Sequence, residues 1–211
     1  MTKKAAQFFT DPEKELIRST TADVESRTSG EIVVMVVDKS DDYREGEIIG
    51  RIVLGALVSM IVTAFYYHAS MWFFIPLAFF AYFPLKIIVR RSEHMRMTFV
   101  GPGRREAAVR QRALRAFHEK GLTNTRDRTG VLFFISLLEH KVWVLADKGI
   151  HEKVGQETLN KFAKGVSKGI AEDRSCESLC VAMREVGEVL ASHFPRKDDD
   201  TDELPDGVMS A

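Results

Sequence analysis

Four carboxylates occupy the positions where this chain could do chemistry. Asp38, Asp41 and Asp42 follow the apolar run Glu31-Ile-Val-Val-Met-Val-Val37, and Glu139 follows a second run, Gly130-Val-Leu-Phe-Phe-Ile-Ser-Leu137. Hard oxygen donors of this kind suit Mg²⁺ or Ca²⁺. A metal held there would clamp a phosphoryl group, as hydrolysis requires. If the two runs are parallel strands, Asp38 and Glu139 share the edge outside the strands' carboxyl ends, where ligands gather in open α/β sheets. The stretch from Asp38 to Asp42 also reads as a solvated turn leading out of the strand. Both readings stand at this point. Asp147 ends a third run and falls at the opposite edge, where Asp147-Lys-Gly149 reads as turn chemistry.

Other catalytic signatures are missing. Gly101-Pro-Gly103 lacks the lysine and hydroxyl that complete a phosphate loop of the Walker type. There is no Gly-x-Ser-x-Gly elbow, and His94, His118, His140, His151 and His193 are scattered rather than paired for zinc. Cys176 and Cys180 lie one helical turn apart, a spacing that suits packed, reduced thiols better than a disulfide. The 211 residues carry 30 basic and 30 acidic side chains, so overall charge predicts no nucleic-acid partner. Arg104-Arg105 reads as a solvated basic face.

The elements that must position the carboxylates follow from periodicity. Thr10-Asp11-Pro12 with Glu13 and Glu15 starts a helix, with a capping side chain, an early proline and acids in the first turn. Leu16, Ile17, Thr20 and Val24 continue its stripe. The run at 31–37 is apolar on both faces, which belongs in a sheet covered on both sides, and the run at 130–137 is a second apolar strand. Lys141-Val-Trp-Val-Leu-Ala-Asp147 follows after a short turn, so the second and third strands form an antiparallel hairpin. Helices are predicted from Arg104 to Lys120, along Leu159, Phe162, Val166 and Ile170, and from Leu179 to Leu190 with Ser175 as the cap.

Between the first and second strands lies something of another kind. Ile48 to Tyr67 and Met71 to Val89 are two apolar runs of roughly 20 residues each, enough for a helix to cross a hydrocarbon core of about 30 Å. They predict a transmembrane hairpin. Arg51, Lys86, Arg90 and Arg91 extend toward one interface as anchors, and Tyr66, Tyr67 and Trp72 bracket the other, where the loop has no lysine or arginine. Basic residues then dominate from Arg90 to Arg128 and are read as topology determinants and contacts for anionic lipid. The positive-inside rule puts both flanks, and both termini, in the cytoplasm, with the hairpin in the inner (cytoplasmic) membrane. The opening MTKKAAQFFTDPEKE has no apolar core and does not read as a signal peptide. The division is thus 1–47 and 90–195 as two parts of one soluble domain, 48–89 as the hairpin, and 196–211 as an acidic flexible tail.

The order SGEIVVMVV, then TRDRTGVLFFISLLEHKVWVLADKGIHEKV, then a helix pair ending in LASHFPRKDDDTDELPD resembles the TPM domain family. It is similar in particular to the bacterial branch with a transmembrane pair inside the domain. The best-matching stretch runs from Thr129 to Ile150, with Gly130, Val131, Glu139, Asp147 and Gly149 in place. The resemblance implies an α/β fold, a small sheet flanked by helices, here interrupted by the two-helix hairpin. Family members act as a phosphatase or as assembly and accessory proteins, so it implies no single activity. The expected function is an accessory or assembly module anchored in the lipid membrane and serving a membrane-protein partner. The alternative is a metal-assisted phosphatase using Mg²⁺ or Ca²⁺ at Asp38, Asp41, Asp42 and Glu139.

Overall fold

The computed structural model describes residues 4–66, 71–123, 125, 128–196 and 207–210. The chain divides into two compact units, one of residues 1–40 and 108–211, the other of residues 41–107.

The first unit is built on a four-stranded sheet. Strands β1 (Glu31–Val37), β2 (Gly130–Ser136), β3 (Lys141–Ala146) and β4 (Met209–Ser210) lie in the order β3-β2-β1-β4. β1 and β2 are parallel, with Glu31 opposite Gly130 and Val37 opposite Ser136. β3 runs antiparallel to β2, turning back through Leu137 to His140, with His140 at φ 50°. Every residue of β1 and β2 is buried. Because successive side chains point to opposite faces, Ile32, Val34 and Val36 enter one core while Val33, Met35 and Val37 enter another. The expected sheet covered on both sides is observed.

The larger core forms under α1 (Asp11–Glu25), α7 (Gln156–Ala171) and α8 (Ser175–His193), through Ile17, Val24, Leu159, Val166, Met183 and Leu190. α1 starts at the expected capping residue, Thr10, which forms a capping box with Glu13. Leu16, placed in its apolar stripe by sequence, is exposed. At α8 the cap residue is Arg174, with Ser175 as the first helical residue, one position from the expected cap. The other face of the sheet is covered by α5 (Pro102–Glu119), through Val109, Ala113, Ala116 and Phe117. β4 pairs with β1 at Met35 and Val36, so the end of the stretch read as a flexible tail joins the sheet edge. Residues 197–206 of that stretch lie outside the described residues. A further short helix, α6 (Lys148–Val154), is capped by Asp147, whose Oδ1 accepts the Lys148 N–H at 2.7 Å.

The second unit holds α2 (Arg44–Tyr66), α3 (Met71–Arg91) and α4 (Glu93–Thr98). α2 and α3 are long and apolar enough to cross a membrane. A core helix of a soluble protein passes the same test while mostly buried. Here only 28% of the apolar window of α2 is buried, and 6% of that of α3. The side of α2 that is buried carries small residues: Gly46, Gly50, Gly55, Ser59 and Thr63. Such residues let helix backbones approach closely where lipid supplies no hydrophobic drive. α4 begins after Ser92, whose Oγ accepts the Met95 N–H at 3.2 Å, and it packs on the first turn of α2. A Cβ on Gly46 would stand 2.2 Å from the Arg96 carbonyl oxygen.

Gly46→Ala is therefore expected to force α2 and α4 apart and to cost about 1–3 kcal/mol. The readout is a lower melting temperature of the detergent-solubilised chain. Gly103→Ala, which meets open space, should leave it unchanged or slightly raised.

Candidate functional site

The carboxyl edge of β1 and β2 is where the parallel register puts Asp38 and Glu139. Glu139 is buried. Its Oε1 accepts the backbone N–H of Ser40 at 3.0 Å, and its Oε2 accepts the Ser136 hydroxyl at 2.5 Å. With the Ser136 proton committed to the carboxylate, the Ser40 hydroxyl, 2.8 Å away, donates to Ser136 Oγ. The Leu137 and Leu138 N–H groups continue the strand pairing onto the carbonyls of Val37 and Asp38. The result is a closed network joining the end of β1 to the β2–β3 turn. Asp38 is exposed and does something else: its Oδ1 accepts the Ala5 N–H at 2.5 Å, tying the N-terminal segment to the sheet edge.

Beside this network lies a cavity of about 440 Å³. Phe8, Ile135, Leu137, Val142 and Ile170 give it an apolar wall; Ser136, His140, Lys141 and Ser167 supply polar groups. Size and lining are those of a ligand or side-chain pocket. His140, one of the scattered histidines of the sequence, is exposed and lines this pocket. Its position in the pocket rests on a positive φ in the β2–β3 turn, which periodicity does not reveal.

Asp41 and Asp42 belong to the second unit. Asp41 Oδ2 accepts Arg104 Nη2 at 2.6 Å, and its Oδ1 accepts the Asp42 and Tyr43 N–H groups at 2.6 and 3.4 Å, turning the chain into α2. Partial burial opposes its ionisation, but Arg104 and the two N–H groups outweigh it and hold the carboxyl below the usual aspartate range. Arg104, hydrogen-bonded to Asp41 and beside Glu45, is held above its ordinary value. The Asp42 carbonyl accepts Arg96 Nη1 at 2.8 Å. Among the described residues, no three His, Cys, Asp or Glu side chains are gathered to hold a metal ion. One oxygen of Asp38 and both oxygens of Asp41 and of Glu139 accept from N–H, O–H or guanidinium donors.

The expected anchors divide into two groups. Tyr66 and Trp72 are exposed, as are Lys86, Arg90 and Arg91; Tyr67 lies outside the described residues. Arg51 is different. Read from sequence as an anchor reaching out to the interface, it is buried inside the hairpin. There it ion-pairs with Glu47, one turn earlier, and donates from Nη1 to Tyr82 Oη at 3.3 Å. Its guanidinium lies 5.4 Å from the Tyr82 ring centre, a cation–π distance.

Cys176 and Cys180 are free and buried, as expected of packed thiols. Asp147, expected to make a turn with Gly149, instead caps α6 at the opposite sheet edge, and Gly149 lies inside that helix without a positive φ.

No family model matches the chain, and no curated protein does either. Among solved structures it is similar to the NMR structure of BA42 protein from the psychrophilic bacteria Bizionia argentinensis sp. nov., with 20% identity, a TM-score of 0.62 and 99% of each chain covered. At that identity the likeness is one of fold: a mixed α/β architecture.

Two outcomes follow from this geometry. Glu139→Ala strands the Ser136 hydroxyl and the Ser40 N–H, so it should cost about 1–3 kcal/mol in unfolding; Asp38→Ala, at an exposed carboxylate, should cost less. Burial, with Cys180 alongside, pushes the Cys176 thiol up to about 12. At pH 8 about one thiol in ten thousand is then ionised, so iodoacetamide should label Cys176 only on unfolding. The folded state holds this proton more tightly than the unfolded chain. Its stabilising contribution is complete below the ordinary thiol value near 9 and is lost as pH rises through about 12.

Proposed function

We propose that this chain is a membrane-anchored accessory module. The hairpin α2–α3 lies in lipid, the sheet domain and both termini face the cytoplasm, and the domain assists a partner membrane protein. One observation carries the reading: two apolar, largely uncovered helices are inserted into the crossover between two buried, hydrogen-bonded strands. An even number of spans returns the chain to the side it left, which the β1–β2 pairing requires of the sheet domain. Lys86, Arg90 and Arg91 at the end of α3 favour the cytoplasm for that side.

The resemblance of Thr129 to Ile150 to the TPM domain family supports an accessory role, since members of that family include assembly and accessory proteins. The carboxyl-edge cavity is the feature of the sheet domain best suited to receive a partner's side chain. Its apolar wall supplies affinity, and His140 and Lys141 supply polar contacts. The Ser136–Glu139–Ser40 network behind it serves to hold the wall rigid.

The test is photocrosslinking from His140 and from Val181 in the full chain at native level in its own membranes. Val181 is exposed on α8. A discrete membrane-protein adduct is expected from position 140, absent from position 181 and abolished by Ala171→Trp, which fills the cavity. No adduct, or the same adducts from both positions, would refute the reading. Hydrolysis of a generic phosphomonoester that needs Mg²⁺ or Ca²⁺ and is lost in Asp38→Ala would replace it with the phosphatase.

A further inference from the structure

Arg51 is a costly residue to bury inside an apolar hairpin, and its surroundings explain what it is for. It forms the floor of a cavity of about 610 Å³ in the second unit, whose walls carry three more arginines: Arg44 on α2, Arg90 on α3 and Arg96 on α4. Against these four guanidinium groups stand two acids, Asp42 and Glu47. Glu47 is engaged by Arg51. Arg96 is held by the Asp42 carbonyl and, at 3.4 Å, by Glu93. Arg44 and Arg90 have no hydrogen bond or ion pair among the described residues. The Nε groups of Arg51 and Arg96 are both buried and without an acceptor. Buried guanidinium N–H groups without acceptors are expensive. Two of them on one cavity, with the exposed Arg44 and Arg90 also lining it, make an anion site.

We propose that this cavity binds the phosphodiester headgroup of an anionic phospholipid. Depth and surroundings select a lipid over a soluble anion. Arg44 to Arg51 climbs about 10 Å along α2, so the cavity runs from the mouth of the hairpin into its apolar portion. That is the depth at which a headgroup and glycerol backbone lie. Ile48 forms part of the wall, and Ile52, one turn on, and Phe83 and Ile87 on α3 are exposed at 57%, 57% and 68%. These apolar surfaces lead away from the arginines and would carry the acyl chains. The Tyr82 hydroxyl, already bonded to Arg51, offers a further donor to a phosphate oxygen. Basic pockets between membrane helices on the cytoplasmic side recognise anionic headgroups by this combination of fork-shaped donors and adjoining apolar surface. The proposal rests on the membrane reading of the hairpin.

Native mass spectrometry of the full chain in detergent tests it, with phosphatidylglycerol, phosphatidylcholine and water-soluble glycerol 3-phosphate as probes. One retained phosphatidylglycerol is expected, preferred about tenfold over phosphatidylcholine, with no adduct from glycerol 3-phosphate. The double variant Arg44→Gln, Arg90→Gln should lose the preference. Lys161→Gln with Lys164→Gln, exposed on α7 of the first unit, should keep it. Equal retention of the two lipids overturns the proposal without recourse to any variant. Retention of glycerol 3-phosphate as strong as that of the lipid overturns the lipid assignment in favour of a soluble phosphate ester. Alkaline washing of membranes separates the two layers of argument. Release of the wild-type chain defeats the membrane reading, and the lipid proposal with it. Retention without lipid preference defeats the cavity proposal alone.

Discussion

The parallel pairing of β1 with β2 is the constraint on which the rest depends. Seven consecutive residues of each strand are in register and buried, yet they lie on either side of the whole second unit in sequence. A parallel pair needs a crossover, and a crossover ordinarily supplies a helix to one face of the sheet. Here it supplies two things. α5 delivers the covering helix, through Val109, Ala113, Ala116 and Phe117, and the hairpin before it is surplus to the packing needs of the sheet. Separating the two roles lets a long apolar hairpin be inserted in the sequence of the sheet domain while the β1–β2 pairing is kept. The cost is loop closure over a long insertion, which grows only logarithmically with length. The pairing repays it with two cores rather than one.

Charge placement follows the same division. In the sheet domain, carboxylates near the strand ends accept from local donors: Glu139 from Ser136 and Ser40, Glu25 from the Ile32 N–H at 2.9 Å, and Asp147 through Oδ1 from the first N–H of α6. They close the ends of elements, a structural use of charge. In the second unit the imbalance is of the opposite sign, since arginines outnumber the acids that face them at the mouth of the hairpin. There the Nε groups of Arg51 and Arg96 are buried without an acceptor.

Much of this was legible in the residues, and the parts that were not share a cause. Strand β1 was readable because β-branched residues alternate onto two apolar faces without a break, and the hairpin because its runs exceed what a buried strand needs. Helices α5, α7 and α8 announced themselves by stripes several turns long. α4 and α6 are shorter than the period needed to recognise a stripe; each rests on one capping side chain, Ser92 or Asp147. β4 is two residues long and owes its state to the open edge of β1. The carboxylate site illustrates the limit more sharply. Register placed Asp38 and Glu139 at one edge, as spacing implied. Which donor each would take depended on Ala5 and Ser40, partners 33 and 99 positions away.

Arg51 shows how position in a sequence and environment in a structure can part company. Near the start of a long apolar run, an arginine is expected to extend its head back to water. That option is open only if the side chain points outward. Residues 47, 51 and 55 lie on the same side of α2, and Gly55 on that side brings α3 close, within 3.5 Å of where a side chain would begin. The face of α2 that carries Arg51 is thus the face that packs. Glu47 at the preceding turn and Tyr82 from the opposite helix make the buried charge tolerable by neutralising and solvating it. A guanidinium kept at this depth, when a glycine or serine would pack as well along the rest of the face, indicates that its charge is used. Its Nε is buried without an acceptor, and the cavity it lines is shared with Arg44, Arg90 and Arg96.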